Sequence, residues 1–245
     1  MAIHLTSSVS ELPGIGTGAV KDLKRLDIST VHDLLFAVPF RYDDFSQVKK
    51  IKEIQPGVPV TVTGTIKSIS ARSAKSRRMQ LVEAILEDAT GELPVVWFNQ
   101  EYLAQTIQPG TKWALAGIVD RRFKRVMVNP VHEPAGRNVL TGRIVPVYRL
   151  SGSLKMHRVR NAVRASLGAA AQLVDWLPAH IRQKEHLASL PEAIQTIHFP
   201  MTHRELEQAV NRLKFDELFL HQLMFAQVRR ERATRPAYEI AFEPA

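Results

Sequence analysis

Between residues 57 and 129 the chain alternates apolar and polar side chains with the two-residue period of half-buried strands. Val60, Val62 and Ile66 form one row, and Thr61, Thr63, Thr65 and Lys67 form the other. Gly64 interrupts the apolar row, which predicts a bulge or bend. Residues 79–86 predict a second strand. Asp88-Ala-Thr-Gly91 is turn chemistry and joins it, as a hairpin, to a third strand over 93–98. A short helix is expected over 100–106, with Asn99 as its cap. Pro109-Gly110 then turns the chain into a strand over 113–119, and a basic turn leads to another over 126–128. Five short strands with one helix between the third and fourth is the order of an OB-fold barrel.

On either side the period becomes helical. Residues 10–37 read as helices, with Thr30 as the N-cap of Val31-His-Asp-Leu-Leu-Phe36 and Pro39 as its stop. The glycines at 14, 16 and 18 make a turn into a helix that resembles a helix-hairpin-helix. There, backbone N–H groups meet a phosphate; the same turn serves plain packing, which is the preferred reading. Phe40-Arg-Tyr-Asp-Asp44 begins a connector of mixed charge. Residues 130–150, with Pro130, Pro134 and Pro146, read as irregular. From Lys155 onward Val159, Val163 and Leu167 recur at helical spacing, and Pro178 and Pro191 mark helix starts. A long helix follows Pro200. Leu206, Ala209, Val210 and Leu213 make its apolar face. Leu218, Phe219, Leu220, Leu223 and Met224 broaden that face, which predicts burial on several sides. Arg229–Arg232 reads as a solvated end and 233–245 as a linker. The expected class is α+β: an N-terminal helical segment over 1–56, a five-stranded OB-fold barrel over 57–150, and a helical segment with linker over 151–245.

Charge narrows the function. The 245 residues carry 33 Lys+Arg against 24 Asp+Glu, a formal net charge of +9. A basic chain without amphipathic membrane helices favours a polyanion, most commonly nucleic acid. No apolar run approaches the roughly 18 residues of a membrane span. The N-terminus lacks the basic and apolar regions of a signal peptide. There are no cysteines, which excludes disulfides and thiolate metal sites. A cytoplasmic location is expected, with no membrane partner. No phosphate-binding loop fits, and no H-E-x-x-H occurs. His132-Glu133 reads as a loop pair and Ser151-Gly-Ser153 as a turn. No catalytic residue, metal ligand or cofactor is assigned within this chain.

The candidate binding residues come from the barrel. Trp97 and Phe98 are adjacent on one strand, so only one can face the core. Trp97 is taken as core. Phe98 and Tyr102, four residues apart at the strand end, are open between core and a base-stacking rim. Residues 57–130 hold ten basic and six acidic side chains, a surplus of 10 − 6 = 4. The surplus sits in two turns. Arg72, Lys75, Arg77 and Arg78 lie between the first two strands, and Arg121, Arg122, Lys124 and Arg125 between the last two. In an OB barrel those loops flank the nucleic-acid face, so phosphate contacts are expected there.

Several landmarks occur in one order. They are Leu12-Pro-Gly-Ile-Gly16, Asp33-Leu-Leu-Phe-Ala-Val-Pro-Phe-Arg-Tyr-Asp43, Asp88-Ala-Thr-Gly91 and Trp97-Phe-Asn-Gln-Glu-Tyr-Leu103. Pro146-Val-Tyr148, Ile197-His-Phe-Pro200 and Arg212-Leu-Lys-Phe-Asp-Glu-Leu218 follow. Together they resemble the amino-terminal region of the RecG branch-migration DNA helicases. The resemblance implies an OB-fold wedge that splits the arms of replication forks and Holliday junctions, in recombination, fork reversal and DNA repair. It places the fork-facing rings on the Phe-x-x-x-Tyr pattern, hence Phe98 and Tyr102. It implies branched DNA as partner and a carboxy-terminal helicase motor, in the same polypeptide, that uses ATP and Mg2+. The chain is then expected to be a helicase fragment. The alternative is a stand-alone OB-fold module that binds single-stranded DNA or RNA without a motor.

Overall fold

The computed structural model describes residues 3–73, 80–120, 125–137 and 139–234. The strands are β1 (Arg41–Asp44), β2 (Pro59–Ser73), β3 (Gln80–Asp88), β4 (Gly91–Phe98), β5 (Lys112–Asp120), β6 (Val126–Val128), β7 (Val131–Pro134) and β8 (Ile144–Val147). The helices are α1 (Thr17–Lys24), α2 (Val31–Phe36), α3 (Tyr102–Thr106), α4 (Met156–Ser166), α5 (Ala179–Lys184), α6 (Leu190–His198) and α7 (His203–Ala233). The class is α+β, with a closed five-strand barrel and helices at both ends of the chain.

β2 closes the barrel because it serves two neighbours. Its first half pairs antiparallel with β5, from Pro59↔Ile118 to Thr65↔Lys112. Its second half pairs with β3, from Thr65↔Glu87 to Ser73↔Gln80. The strand must therefore bend near Thr65. Gly64 permits it: a Cβ there would stand 2.4 Å from the Glu87 carbonyl oxygen. The register shift falls between Ile66 and Ser68, so the bulge is at Lys67 and Gly64 is a site of close backbone approach. β3 then pairs with β4, β4 runs parallel to β6, and β6 returns antiparallel to β5. β7 extends along the same edge of β5 beyond β6.

The barrel interior is the inward row predicted from alternation. Val60, Val62, Ile66, Val82, Leu86, Leu93, Val95 and Trp97 are buried. Each such side chain contributes about 1.5–3 kcal/mol of transfer free energy. Leu103 and Ile107, on and just after α3, join the same core.

A second core unites the two ends of the chain. Val9, Leu23, Leu34 and Leu35 pack with Tyr148, Val159, Val163 and Ile194. Thr30 caps α2 in a capping box with Asp33, as its sequence predicts. Gly16 caps α1 through backbone only, and Leu12 and Ile15 beside it are buried. The glycine-rich turn therefore anchors apolar side chains in this core.

Two stretches differ from expectation. The connector at 40–44 and the irregular region at 130–150 contain β1, β7 and β8. β1 and β8 form a two-stranded ribbon, Arg41↔Val147 to Asp44↔Ile144. All four residues of β8 are buried, so it shows no alternation for periodicity to detect. The second departure is α7. Its first half packs through Leu206, Ala209, Val210 and Leu213. Further on, Leu218 is 65%, Leu220 53%, Leu223 42% and Met224 50% exposed. The predicted burial on several sides is absent among the described residues, because no described element lies against that half of the helix. Phe219 meets the rings of Phe215 and Trp176, at 5.5 and 6.0 Å.

Two polar joints hold the helices. Arg212 is fully buried and donates to both Asp175 carboxylate oxygens, to Asp216 and to the Ala188 carbonyl. That pairing, led by Arg212, holds Asp175 well below the usual carboxylate range. His198 is the other joint. Its Nε2 donates to the Leu35 carbonyl at 2.7 Å, and its Nδ1 accepts from the Tyr148 hydroxyl at 3.0 Å. Both partners suit a neutral ring, and burial pushes its pKa down to about 4.

An unfolded histidine titrates near pH 6.5, so the unfolded state binds the extra proton first. The stability due to His198 is therefore complete above about pH 6.5 and declines as pH falls toward 4. The decline should total about 3 kcal/mol. Denaturant unfolding between pH 7 and 4.5 checks this. His198→Gln should be less stable at pH 7 and lose most of that slope; an unchanged slope assigns the pH dependence elsewhere.

Candidate nucleic-acid interface

The candidate face is the outer surface of β3 and β4. Trp97 points inward, is fully buried, and its Nε1 donates to the Pro130 carbonyl at 3.1 Å. Phe98 therefore falls in the outward row and is partly exposed. Its neighbours on that face include Val96 and Pro94 on β4, and Ile85 and Glu83 on β3. With Ser68, Ser70 and Val126 these line a shallow cleft along the barrel wall. Sequence reasoning missed this wall. Its signal was the outward half of the alternation in the second and third strands, Ile85, Pro94 and Val96.

The acidic side chains on this face are matched. Arg72 forms a two-pronged pair with Glu83, Nε to Oε2 at 2.9 Å and Nη2 to Oε1 at 2.5 Å. Lys67 reaches Glu92 and lies 3.7 Å from Glu87. An exposed two-pronged pair adds little stability, yet it cancels a carboxylate that would repel phosphate. Arg72 is thus committed to Glu83 in this structure.

Phe98 and Tyr102 stand at one end of the wall. Asn99 adopts φ 55, a left-handed conformation, and does not cap a helix. It ends the strand instead: its N–H donates to the Gln80 carbonyl at 2.8 Å and its Oδ1 accepts from the Gln80 N–H at 3.4 Å. The helix begins later than expected, at Tyr102, with Glu101 before it and no side-chain cap. Asn is tolerated in the left-handed region, so the sequence signal for a cap and for a strand end is the same residue. The turn leaves Tyr102 57% exposed, its hydroxyl 3.2 Å from Gln100 Oε1. Leu103, next in sequence, is buried. Among the described residues, no ring packs on Phe98 or Tyr102.

Phe98 is fixed from behind by Asn129. The Phe98 N–H donates to Asn129 Oδ1 at 2.8 Å, and the Asn129 N–H donates to the Val96 carbonyl at 2.7 Å. Asn129 also sits at positive φ, 46°. Its role has no signature in the local sequence, since it depends on the parallel pairing of β4 with β6.

The strand ends that flank the two basic stretches lie toward opposite ends of this wall. Leu81 pairs with Phe98, so the connection between β2 and β3 leaves beside the aromatic end. β6 runs parallel to β4, so the connection from β5 enters beside the Gly91 end. Arg125, at φ 60, lines a cleft there with Lys52, Thr90 and Glu92. Lys75, Arg77, Arg78, Arg121, Arg122 and Lys124 lie outside the described residues. The Asp88 turn is fully used: Oδ1 accepts from Thr90 and Gly91, and Oδ2 from the Ile51 N–H.

Neither His132-Glu133 nor Ser151-Gly-Ser153 makes a reactive centre. The Glu133 carboxylate accepts from the N–H groups of Val139, Leu140 and Thr141. Burial pushes the His132 pKa down. Its ring lies edge-on to Trp97, at 5.8 Å between centroids. Ser151 and Ser153 bind Asp22, and Gly152, at φ 54, lies against that carboxylate. Among the described residues no group of three or more His, Asp or Glu is placed to hold a metal.

Replacing Asn129 by Ala leaves the Phe98 N–H without its acceptor and puts a Cβ-bearing residue at positive φ without a compensating side chain. The cost should be about 1–3 kcal/mol, read by urea unfolding. Asn129→Gly, which relieves only the backbone, should recover part of it. Full stability in Asn129→Ala would show that this pairing does not hold the rim.

Comparison with known proteins gives one family. The family model described as RecG wedge domain matches residues 12–170. The ATP-dependent DNA helicase RecG of Thermotoga maritima is 30% identical over 235 residues, covering 94% of this chain and 30% of its own length. The protein of the same description from Synechocystis is 34% identical over 229 residues, covering 86% of this chain and 28% of its own length. A solved structure of RecG bound to a three-way DNA junction superposes with a TM-score of 0.80 at 30% identity, over 95% of this chain and 32% of the other. This chain thus spans under a third of the length of these relatives. The match over residues 12–170, on a barrel closed as described, establishes that the chain belongs to the RecG wedge domain family.

Proposed function

We propose that this chain is the branched-DNA-binding wedge of an ATP-dependent DNA helicase that acts on replication forks and Holliday junctions, in recombination, fork reversal and repair. One observation carries the reading. Tyr102 is 57% exposed and Phe98 lies on the outward row, at the rim of a closed barrel, with no ring packed on either among the described residues. An exposed aromatic rim is suited to covering bases that lose their stacking partners at a junction.

The mechanism follows from shape and charge. A motor pulls duplex toward the barrel. The barrel is too broad to pass between paired strands, so the arms part at the rim. Phe98 and Tyr102 stack on the unpaired bases and offset part of the lost stacking. Basic side chains of the two turns, Arg77, Arg78, Arg121 and Arg122 among them, guide the separated strands by their phosphates without sequence preference. The motor, with its ATP and Mg2+, belongs to the part of the parent protein outside this chain, and a cytoplasmic site of action fits it. The exposed apolar half of α7 fits the same reading, because further chain could cover it. Among the described residues no helix is long and apolar enough to cross a membrane.

Phe98→Ala and Tyr102→Ala should each weaken binding to forked DNA by about 1–3 kcal/mol and leave binding to linear duplex nearly unchanged. Melting temperatures should stay close to that of the parent chain, since the inward row is untouched. Equal losses on both DNAs would remove the stacking role. A single-strand module without a motor predicts instead that plain single strands bind as tightly as forks.

Reversing the charges at Arg77, Arg78, Arg121 and Arg122 should weaken binding to every DNA alike. Each phosphate that is no longer neutralised should flatten the log–log salt dependence by about 0.7–0.9. A salt titration of fork binding measures the slope; a weaker affinity at constant slope places the phosphate-binding side chains elsewhere.

A further inference from the structure

Where β8, α4 and the end of α6 meet, three arginines line one narrow cleft. Arg143, Arg160 and Arg164 line it, together with Asn161, Tyr148 and Phe199. Arg143 is only 5% exposed. Its guanidinium lies over the Phe199 ring at 3.3 Å from the centroid, and Arg164 lies 5.8 Å from the same ring. Arg143 Nη2 donates to the Pro200 carbonyl at 2.9 Å, and Arg160 Nε donates to the Pro146 carbonyl at 2.9 Å.

These partners are neutral. Among the described residues, none of the three arginines makes an ion pair. The nearest acids are engaged elsewhere. Glu133 is taken up by the Val139, Leu140 and Thr141 amides; Asp43 pairs with Arg41 and also favours the charged form of Arg160. His198, at the back of the cleft, is neutral because it is buried. Burial, and then the like charge of Arg164, push the Arg143 pKa down, and Glu133 offsets them only in part. A buried cation beside like charges is at its most stable with an anion among them.

The geometry favours a phosphate over a carboxylate. A guanidinium offers five N–H donors in a planar fork, and most of these remain uncommitted on the three arginines. Forks from Arg143 and Arg164, which both lie over Phe199, match a doubly charged tetrahedral oxyanion better than a singly charged group with two oxygens.

We propose that this cleft is a phosphate-oxyanion site held by Arg143 and Arg164, with Arg160 on its wall. The oxyanion is either free inorganic phosphate or a backbone phosphate of nucleic acid. The site stands apart from the Phe98 and Tyr102 rim and does not depend on the wedge reading.

The test begins with thermal unfolding of the whole chain against inorganic phosphate, with chloride as the control at matched ionic strength. Phosphate should raise the melting temperature saturably beyond chloride. Arg164 is exposed, so Arg164→Gln should fold normally and bind phosphate at least about tenfold more weakly. Arg164→Lys should recover part of the loss. No saturable rise over chloride, or the same rise in Arg164→Gln as in the parent chain, overturns the site. With the phosphate response established, forked DNA separates the sources. A salt slope reduced by about 0.7–0.9 in Arg164→Gln assigns a backbone phosphate, and an unchanged slope assigns free phosphate. A chain that bound no fork would defeat the wedge reading and leave the phosphate result to decide this site alone.

Discussion

The architecture depends on one bent strand. β2 has 15 residues and must pair with β5 through its first half and with β3 through its second, Thr65 belonging to both ladders. A straight strand of that length pairs with neighbours in a sheet; a bent one closes a barrel. Gly64 lets the Glu87 carbonyl come where a Cβ would stand, and the bulge at Lys67 turns the ladder. Closure leaves no long exposed edge and fixes which face of β4 is outside. Phe98 is outward because Trp97 is inward, and that choice follows from the closure.

The rest of the chain builds a rigid support for that barrel. His198 reaches Leu35 on α2 and Tyr148 after β8, so one neutral ring ties three distant segments. The Tyr42 hydroxyl donates to the Ile197 carbonyl from the β1–β8 ribbon, beside the same ring. Arg212 gathers Asp175, Ala188 and Asp216 around the start of α7. These residues lie in, or contact, the landmarks by which the sequence resembles its family: Pro146-Val-Tyr148, Ile197-His-Phe-Pro200 and Arg212-Leu-Lys-Phe-Asp-Glu-Leu218. Landmarks of that kind mark buried polar joints, where a missing partner leaves an unsatisfied group. Asp88, whose carboxylate organises its own turn and also takes the Ile51 N–H, is the barrel's counterpart.

The electrostatics divide in the same way. On the barrel wall, the carboxylates of Glu83, Glu87 and Glu92 are matched by Arg72 and Lys67. In the support, Arg143, Arg160 and Arg164 have no ion-pair partner among the described residues and face one cleft. A net charge of +9 says that cations exceed anions. It does not distinguish a steering surface from arginines that line a cleft.

The sequence alone determined what is periodic and local. The inward row of the barrel, the helix between the third and fourth strands, the Thr30 cap and the first half of α7 follow from residue spacing and side-chain chemistry. The ordered landmarks carried the family. Tertiary structure decided what depends on pairing between distant segments. β8 is buried on every residue and β1 is four residues long, so neither has a readable period, and only their pairing makes them strands. Asn99 ends a strand where local chemistry also fits a helix cap, because the Gln80 partner lies 19 residues away. Leu218 to Met224 read as buried, since side-chain type reports affinity for an apolar neighbour; whether a neighbour is present is a property of the assembled chain.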